Sequence, residues 1–180
     1  MHKILLTLTL TISMTSLAQS AQAEPVEIML SDRLDGDLDY YCFDISGSKA
    51  DADTSRGLQT HTCYGYQGAM GIDQVFDSTQ IADNLFYMPE FDVCATLNSY
   101  APGALVALAS CDGTETQAIM RSSTGQVSPI AAPDMCLTAG AETRRGRGGT
   151  SEHQIKSLTL ETCSADLAAY QTWETRPAAN

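Results

Sequence analysis

Three times in this chain, two cysteines are followed by a glutamine standing two residues ahead of an apolar or aromatic residue. In chain order the cysteines are Cys42 and Cys63, Cys94 and Cys111, Cys136 and Cys163. The tripeptides after them are Gln74-Val75-Phe76, Gln117-Ala118-Ile119 and Gln171-Thr172-Trp173. The positions five and three before each second cysteine are Leu58 and Thr60, Val106 and Leu108, Leu158 and Leu160. After each first cysteine come Phe43 and Ile45, Ala95 and Leu97, Leu137 and Ala139. A period of two marks a strand with one buried face. A unit of roughly fifty residues occurring three times is an internal repeat. The copies run over about 40–81, 92–130 and 134–175. Two of them share a turn tail, Ser78-Thr79-Gln80-Ile81 and Ser123-Thr124-Gly125-Gln126-Val127.

Amphipathic helical spacing is absent. Gly, Pro, Asn, Asp and Ser recur between short runs, as in an all-β fold. The longest irregular pieces, Gly47 to Gly57 and Ala141 to Gln154, each fall between the two cysteines of one repeat. They read as loop insertions rather than linkers.

The first twenty-three residues read as a leader. Met1-His2-Lys3 is basic, Ile4 to Met14 is apolar and threonine-rich without acids, and Ala21-Gln22-Ala23 offers small residues for cleavage. The run is too short for a membrane span. Cleavage before Glu24 leaves 157 residues, 24–180, as one domain of ordinary size. Loss of Lys3 takes the formal charge from −12 to −13. So acidic a surface argues against nucleic acid and anionic membranes as partners. All six cysteines lie in the mature part, which in an exported chain reads as a disulfide framework. Spacing alone does not choose among the fifteen pairings that six cysteines allow.

The pattern Cys-x-x-apolar, apolar-x-apolar-x-x-Cys, then Gln-x-Trp resembles that of the ricin-type β-trefoil lectins over roughly residues 26 to 175. The resemblance implies twelve strands in a six-stranded barrel capped by three hairpins, with pseudo-threefold symmetry. It also implies one disulfide per repeat: Cys42–Cys63, Cys94–Cys111 and Cys136–Cys163. Each such closure contributes ~3 kcal/mol. With every cysteine paired, no Cys/His metal site remains, no metal spacing appears, and no cofactor is expected.

If positions five and three before the second cysteine face the core, positions four and two face outward, as does the position two after the first cysteine. These outward residues are Asp44, Gln59 and His61 in repeat one. They are Thr96, Ala107 and Ala109 in repeat two, and Thr138, Thr159 and Glu161 in repeat three. Only the first copy gathers a carboxylate, an amide and a flat ring. A carboxylate accepts charge-assisted bonds from neighbouring sugar hydroxyls, an amide both donates and accepts, and a ring packs on the C–H face of a pyranose. Ricin-type lectins bind sugar at these positions and at the pair closing the repeat, here Asp73-Gln74. The resemblance therefore implies a sugar site of Asp44, Gln59, His61, Asp73 and Gln74. His61 stands where the family has Trp or Tyr, and Asp73 where it has Asn. Ten residues separate Cys63 from Gln74, against five and seven in the other repeats. Tyr64 or Tyr66 in that longer piece is placed to supply an aromatic face.

Two further stretches carry charge. Asp35-Gly36-Asp37-Leu38-Asp39 alternates carboxylates but has Ser46 at the twelfth position, so it fails the calcium-loop pattern and reads as an acidic, solvent-facing strand. Arg144-Arg145-Gly146-Arg147-Gly148-Gly149 is a basic island with glycines that mark a mobile loop, fit to dock an acidic partner or an anionic glycan. The expectation is a secreted or periplasmic, non-enzymatic domain that binds a galactose- or xylan-type glycan through its first repeat. Its rival is a trefoil that has lost sugar binding and contacts a partner protein through loops such as 47–57 or 144–149.

Overall fold

The computed structural model describes residues 23–177, so the expected leader lies outside the described residues apart from its last position. Repeat one contains β1 (Pro25–Leu30), β2 (Tyr41–Ile45), β3 (Leu58–Thr62) and β4 (Phe76–Asp77). Repeat two contains β5 (Tyr87–Met88), β6 (Val93–Thr96), β7 (Ala104–Leu105), β8 (Ala107–Ala109) and β9 (Ile119–Arg121). Repeat three contains β10 (Val127–Pro129), β11 (Met135–Ala139), β12 (Arg144–Arg145), β13 (Gln154–Lys156), β14 (Leu158–Thr162) and β15 (Trp173–Pro177). Only Val106 interrupts β7 and β8, and β12–β13 is an inserted hairpin. Each copy therefore supplies four strands, and the fold is a β-trefoil.

The outer strands of each copy form the barrel. β1 pairs with β4 and β15, and β9 with β10. Single bridges Leu85↔Ala118 and Gln126↔Thr172 tie neighbouring strands between these pairs. The inner strands form the three hairpins β2–β3, β6–β8 and β11–β14, in one register. Asp44↔Gln59, Thr96↔Ala107 and Thr138↔Thr159 are the equivalent pairs. The disulfides are the three that the resemblance implied, with Cα–Cα separations of 4.9, 5.1 and 5.0 Å.

The alternation places the core where the sequence put it, except that Leu108 is only partly buried and Thr60 is buried as a polar residue outside the apolar cluster. Phe43, Ile45, Ala95, Leu97, Leu137, Ala139, Leu58, Val106, Leu158 and Leu160 are all buried in one cluster. The residues two after each repeat glutamine, Phe76, Ile119 and Trp173, have no exposed surface. Trp173 meets Phe43 with ring centroids 4.5 Å apart, and its indole donates to the Leu137 carbonyl at 2.9 Å.

The three glutamines hold the hairpins to the barrel by one scheme. In repeat three Gln171 Nε2 donates to Thr138 Oγ1 and the Thr162 carbonyl, and its Oε1 accepts from Ser164 N. Gln117 does the same with Thr96, Ser110 and Asp112. Gln74 does the same with Asp44, Thr62 and Tyr64. Backbone groups that a turn leaves without strand partners are thus satisfied by one buried amide per repeat.

Three local expectations change. Residues 35–39 form a loop, not a strand, and each carboxylate is taken by a cation: Asp35 by Lys156, Asp37 by Arg145, Asp39 by Arg176. The basic island is not a free tip, since Arg144 and Arg145 pair with Ile155 and Gln154, and β13 in turn pairs with β3. The matching tails also part company. Ser78–Ala82 is a helical turn capped by Asp77, whereas Ser122 and Gln126 close a β-turn between β9 and β10.

Candidate functional site

The insertion in repeat three shapes the cleft at the first repeat. Its β13 adds to the outer edge of the β2–β3 hairpin, with Ile155 opposite His61 and Lys156 opposite Thr60. Between that added hairpin, the β2–β3 face and the Gly47–Gly57 loop lies a cleft of ≈ 670 Å³. It belongs to two repeats rather than one.

Of the five residues implied by the resemblance, Gln59 and His61 line this cleft, whereas Asp44, Asp73 and Gln74 do not. All three of the latter are buried. Asp44 does sit on the face of β2 away from the core, but its own neighbours cover it. Its Oδ2 accepts from Gln59 Nε2 at 2.8 Å and its Oδ1 from Gln74 Nε2 at 3.1 Å. Gln59 is in turn capped, its Oε1 accepting from Arg144 Nη2 at 2.7 Å. A ligand in the cleft therefore meets Gln59 and Arg144, and Asp44 acts from behind them. Burial pushes the Asp44 carboxyl well above the usual range, against the pull of the Gln59 amide and with the neighbouring Asp73 adding to the rise.

Asp73 is buried and does not line the cleft. Its Oδ2 accepts from Lys49 N at 2.8 Å, which fastens the Gly47–Gly57 loop to the turn Ile72–Gln74. Its Oδ1 has no partner among the described residues. Gln74 is the first repeat's version of the glutamine clamp. Both residues build the site's frame.

His61 is flanked by two rings. Tyr64 lies 5.2 Å away and His153 5.1 Å away, centroid to centroid, and Tyr64 and His153 are themselves 5.5 Å apart. His61 Nδ1 lies 2.8 Å from the Thr62 carbonyl, so that nitrogen carries the proton of the neutral ring and Nε2 is left as an acceptor. Gln74 Nε2, 3.3 Å from the same Nδ1, then faces a donor and makes only a close contact. Burial pushes the His61 imidazole down to about 4, and the positive Arg144 nearby works in the same direction. At neutral pH the ring is an uncharged face.

The longer piece after Cys63 supplies a ring to this wall. Tyr64 N bonds Gln74 Oε1 at 3.0 Å, and Gly65 N bonds Glu27 Oε1 at 3.1 Å. Glu27 is itself held by Arg176 at 2.8 Å. A Cβ on Gly71 would overlap the Tyr64 ring, so glycine there leaves room for it to lie flat against the backbone. Of the two tyrosines proposed for an aromatic face, Tyr64 lines the cleft, while Tyr66 bonds His153 Nε2 through its hydroxyl at 2.9 Å.

Sequence reasoning did not anticipate His153, Lys49 and Arg56 in the cleft. No local signal placed them there, because the pairing of β13 with β3 joins segments some ninety residues apart. The only close group of His, Cys, Asp and Glu among the described residues is Glu27 beside Cys42 and Cys63. Those sulfurs are joined in a disulfide and offer no thiolate to a metal.

No protein-family model matches the sequence, and no curated protein matches it. Solved structures share its fold. The agglutinin of Abrus precatorius aligns with a TM-score of 0.57 at 19% identity, over 89% of this chain and 51% of that one. This chain thus spans about half the agglutinin's length. The C-half of an earthworm R-type lectin, solved with GalNAc, aligns at 0.53 and 10% identity over 86% and 98% of the two chains. The β-trefoil lectin of the Vibrio vulnificus hemolysin/cytolysin, with N-acetyl-D-lactosamine bound, aligns at 0.51 and 13% over 88% and 97%. The chain has the β-trefoil fold of ricin-type lectins.

Proposed function

We propose that this protein is an exported lectin that holds a glycan non-covalently in the cleft between its first and third repeats. The observation that carries the reading is the cleft wall: the Gln59 amide, fixed between Asp44 and Arg144, beside the flat His61 and Tyr64 rings. The amide offers directed bonds to hydroxyls, and the rings offer an apolar surface to a sugar's C–H face. Its fold neighbours include lectins solved with GalNAc and with N-acetyl-D-lactosamine, which supports a galactose-type ligand. Three disulfides and the absence, among the described residues, of a helix able to cross a membrane fit an exported protein.

The reading is a binding one. Cleavage of a glycosidic bond uses two carboxylates facing the reacting atoms. Asp44 and Asp73 are enclosed beneath the cleft, and the carboxylate that lines it is Glu152.

A glycan array probed with the disulfide-intact mature protein, beside Gln59→Ala, tests this. Signal on a related set of glycans that falls in the variant supports the site. Equal signal from both proteins moves the site off this cleft. Silence from a folded protein removes the lectin reading and favours the rival, a trefoil that contacts a partner protein through its loops.

A further inference from the structure

The chain carries 22 acids against 10 cations, yet its cleft is lined by Lys49, Arg56, Arg144 and Arg147, with Glu152 as the acid. Outside the cleft, Arg33 and Arg121 bond backbone carbonyls. Arg145, Lys156 and Arg176 each sit against aspartate or glutamate. Among the described residues, the four cleft cations have no carboxylate within ion-pair distance. Arg144 instead donates to a neutral amide, Gln59.

This segregation follows from strand geometry. Successive side chains of a strand leave on opposite faces. In β12, Arg145 turns to Asp37 in the acidic loop, and Arg144 turns into the cleft. Arg147 follows at the tip of the same hairpin, while Lys49 and Arg56 arrive from the opposite side on the loop of repeat one. Two insertions, one from each repeat, thus bring like charges together in a chain with acids to spare. Gathering them without an anion is unfavourable, and an anionic group between them offsets the repulsion. Both histidines of the cleft have their protonated forms disfavoured chiefly by burial; His153 and then Arg144 add to this at His61, and Arg147 adds to it at His153 against the pull of Glu152.

The geometry points to an acidic saccharide as the ligand, its carboxylate or sulfate held by Arg144 and Arg147 with Lys49 and Arg56 across the cleft, and its ring on Tyr64 and His61. This rests on the lectin reading and narrows it. Arginine takes both anions through paired N–H donors, so the two share one recognition chemistry.

The test is calorimetric titration of the mature, disulfide-intact protein with ligand pairs that differ in charge alone. Trigalacturonate is set beside its methyl ester, and 6-sulfated N-acetyllactosamine beside its unsulfated parent. Polyglutamate serves as an anion without sugar. The acidic member of at least one pair is expected to bind about tenfold tighter than its neutral partner, and which pair does so tells carboxylate from sulfate. That preference should shrink at high salt and in Arg144→Gln and Arg147→Gln, and persist in Arg145→Gln. Arg147 is an exposed loop residue, so its variant keeps the test alive if Arg144→Gln fails to fold. Equal binding within both pairs overturns the inference and leaves the lectin reading standing. Binding to no saccharide overturns both. Polyglutamate binding as tight as any saccharide overturns the inference too, since charge alone would then be what the cleft reads.

Discussion

Repeat one and repeat three solve the same structural problem with different side chains. In both, a buried glutamine clamps the hairpin, reaching the residue two after the first cysteine and the carbonyl just before the second. In repeat three the clamped side chain is Thr138, a small neutral group whose hydroxyl suffices for the bond. In repeat one it is Asp44, a carboxyl that the fold does not need and whose charged form burial disfavours. Across the strand, Thr138 faces Thr159, whereas Asp44 faces and orients Gln59. The lesson is that the scaffold is written in glutamines common to all copies, and the site in what the first copy and the third copy's insertion add to them.

That comparison breaks first at the core, where the repeats should be alike. Trp173→Ala removes a side chain with no exposed surface, and its loss is expected to cost about 3–5 kcal/mol. Phe76→Ala in repeat one should fall in the same range. Urea unfolding of both variants checks it, and a loss confined to one repeat would contradict a shared core.

The pH dependence of stability should then separate the repeats. The folded pKa of His61, about 4, lies below its unfolded value of 6.5. As pH falls below 6.5 the unfolded chain takes the proton first, so His61 costs the fold up to about 3 kcal/mol by pH 4. Asp44 has the opposite sign. Its folded carboxyl keeps a proton above the unfolded value of 3.8, so its contribution is largest in acid and is lost as pH rises. Relative to the parent, His61→Gln should lose less stability on acidification and Asp44→Thr should lose more. Parallel profiles for the three proteins would show that neither group titrates differently on folding.

The clamps themselves rank next. Gln117→Ala strands the amides of Asp112 and Gly113 and the Ser110 carbonyl, for about 1–3 kcal/mol. Gln74→Ala strands the corresponding groups and also deprives the Asp44 carboxylate of a donor, so it should reach the upper end of that range. Equal midpoints for the two variants would mean that Asp44 draws nothing from Gln74. The smallest effect is expected at Arg145→Gln. Its pair with Asp37 is exposed on both sides and contributes less than about 1 kcal/mol. A larger loss in thermal unfolding would make the acidic loop a structural support for the cleft.

The pairing of the cysteines came from a family resemblance. The sequence by itself determined the threefold repeat, the all-β fold and the core positions, and each rests on a period: alternate residues choose a strand's buried face, and three glutamines, each two residues ahead of an apolar residue, mark three equivalent turns. Those signals are local, so Phe43, Ala95 and Leu137 announced themselves in a single chain. Tertiary structure decided what the outward residues face. Asp44, Gln59 and His61 do leave the core side of the hairpin, but only the docking of β13 onto β3 determines that Asp44 ends beneath Gln59 and Arg144. It likewise splits the basic island, sending Arg145 to Asp37 and Arg144 to the cleft. An insertion has no counterpart in the other repeats, so symmetry predicts nothing about where it docks. Its position follows from strand pairing and charge complementarity between segments far apart in the chain, which no local pattern encodes.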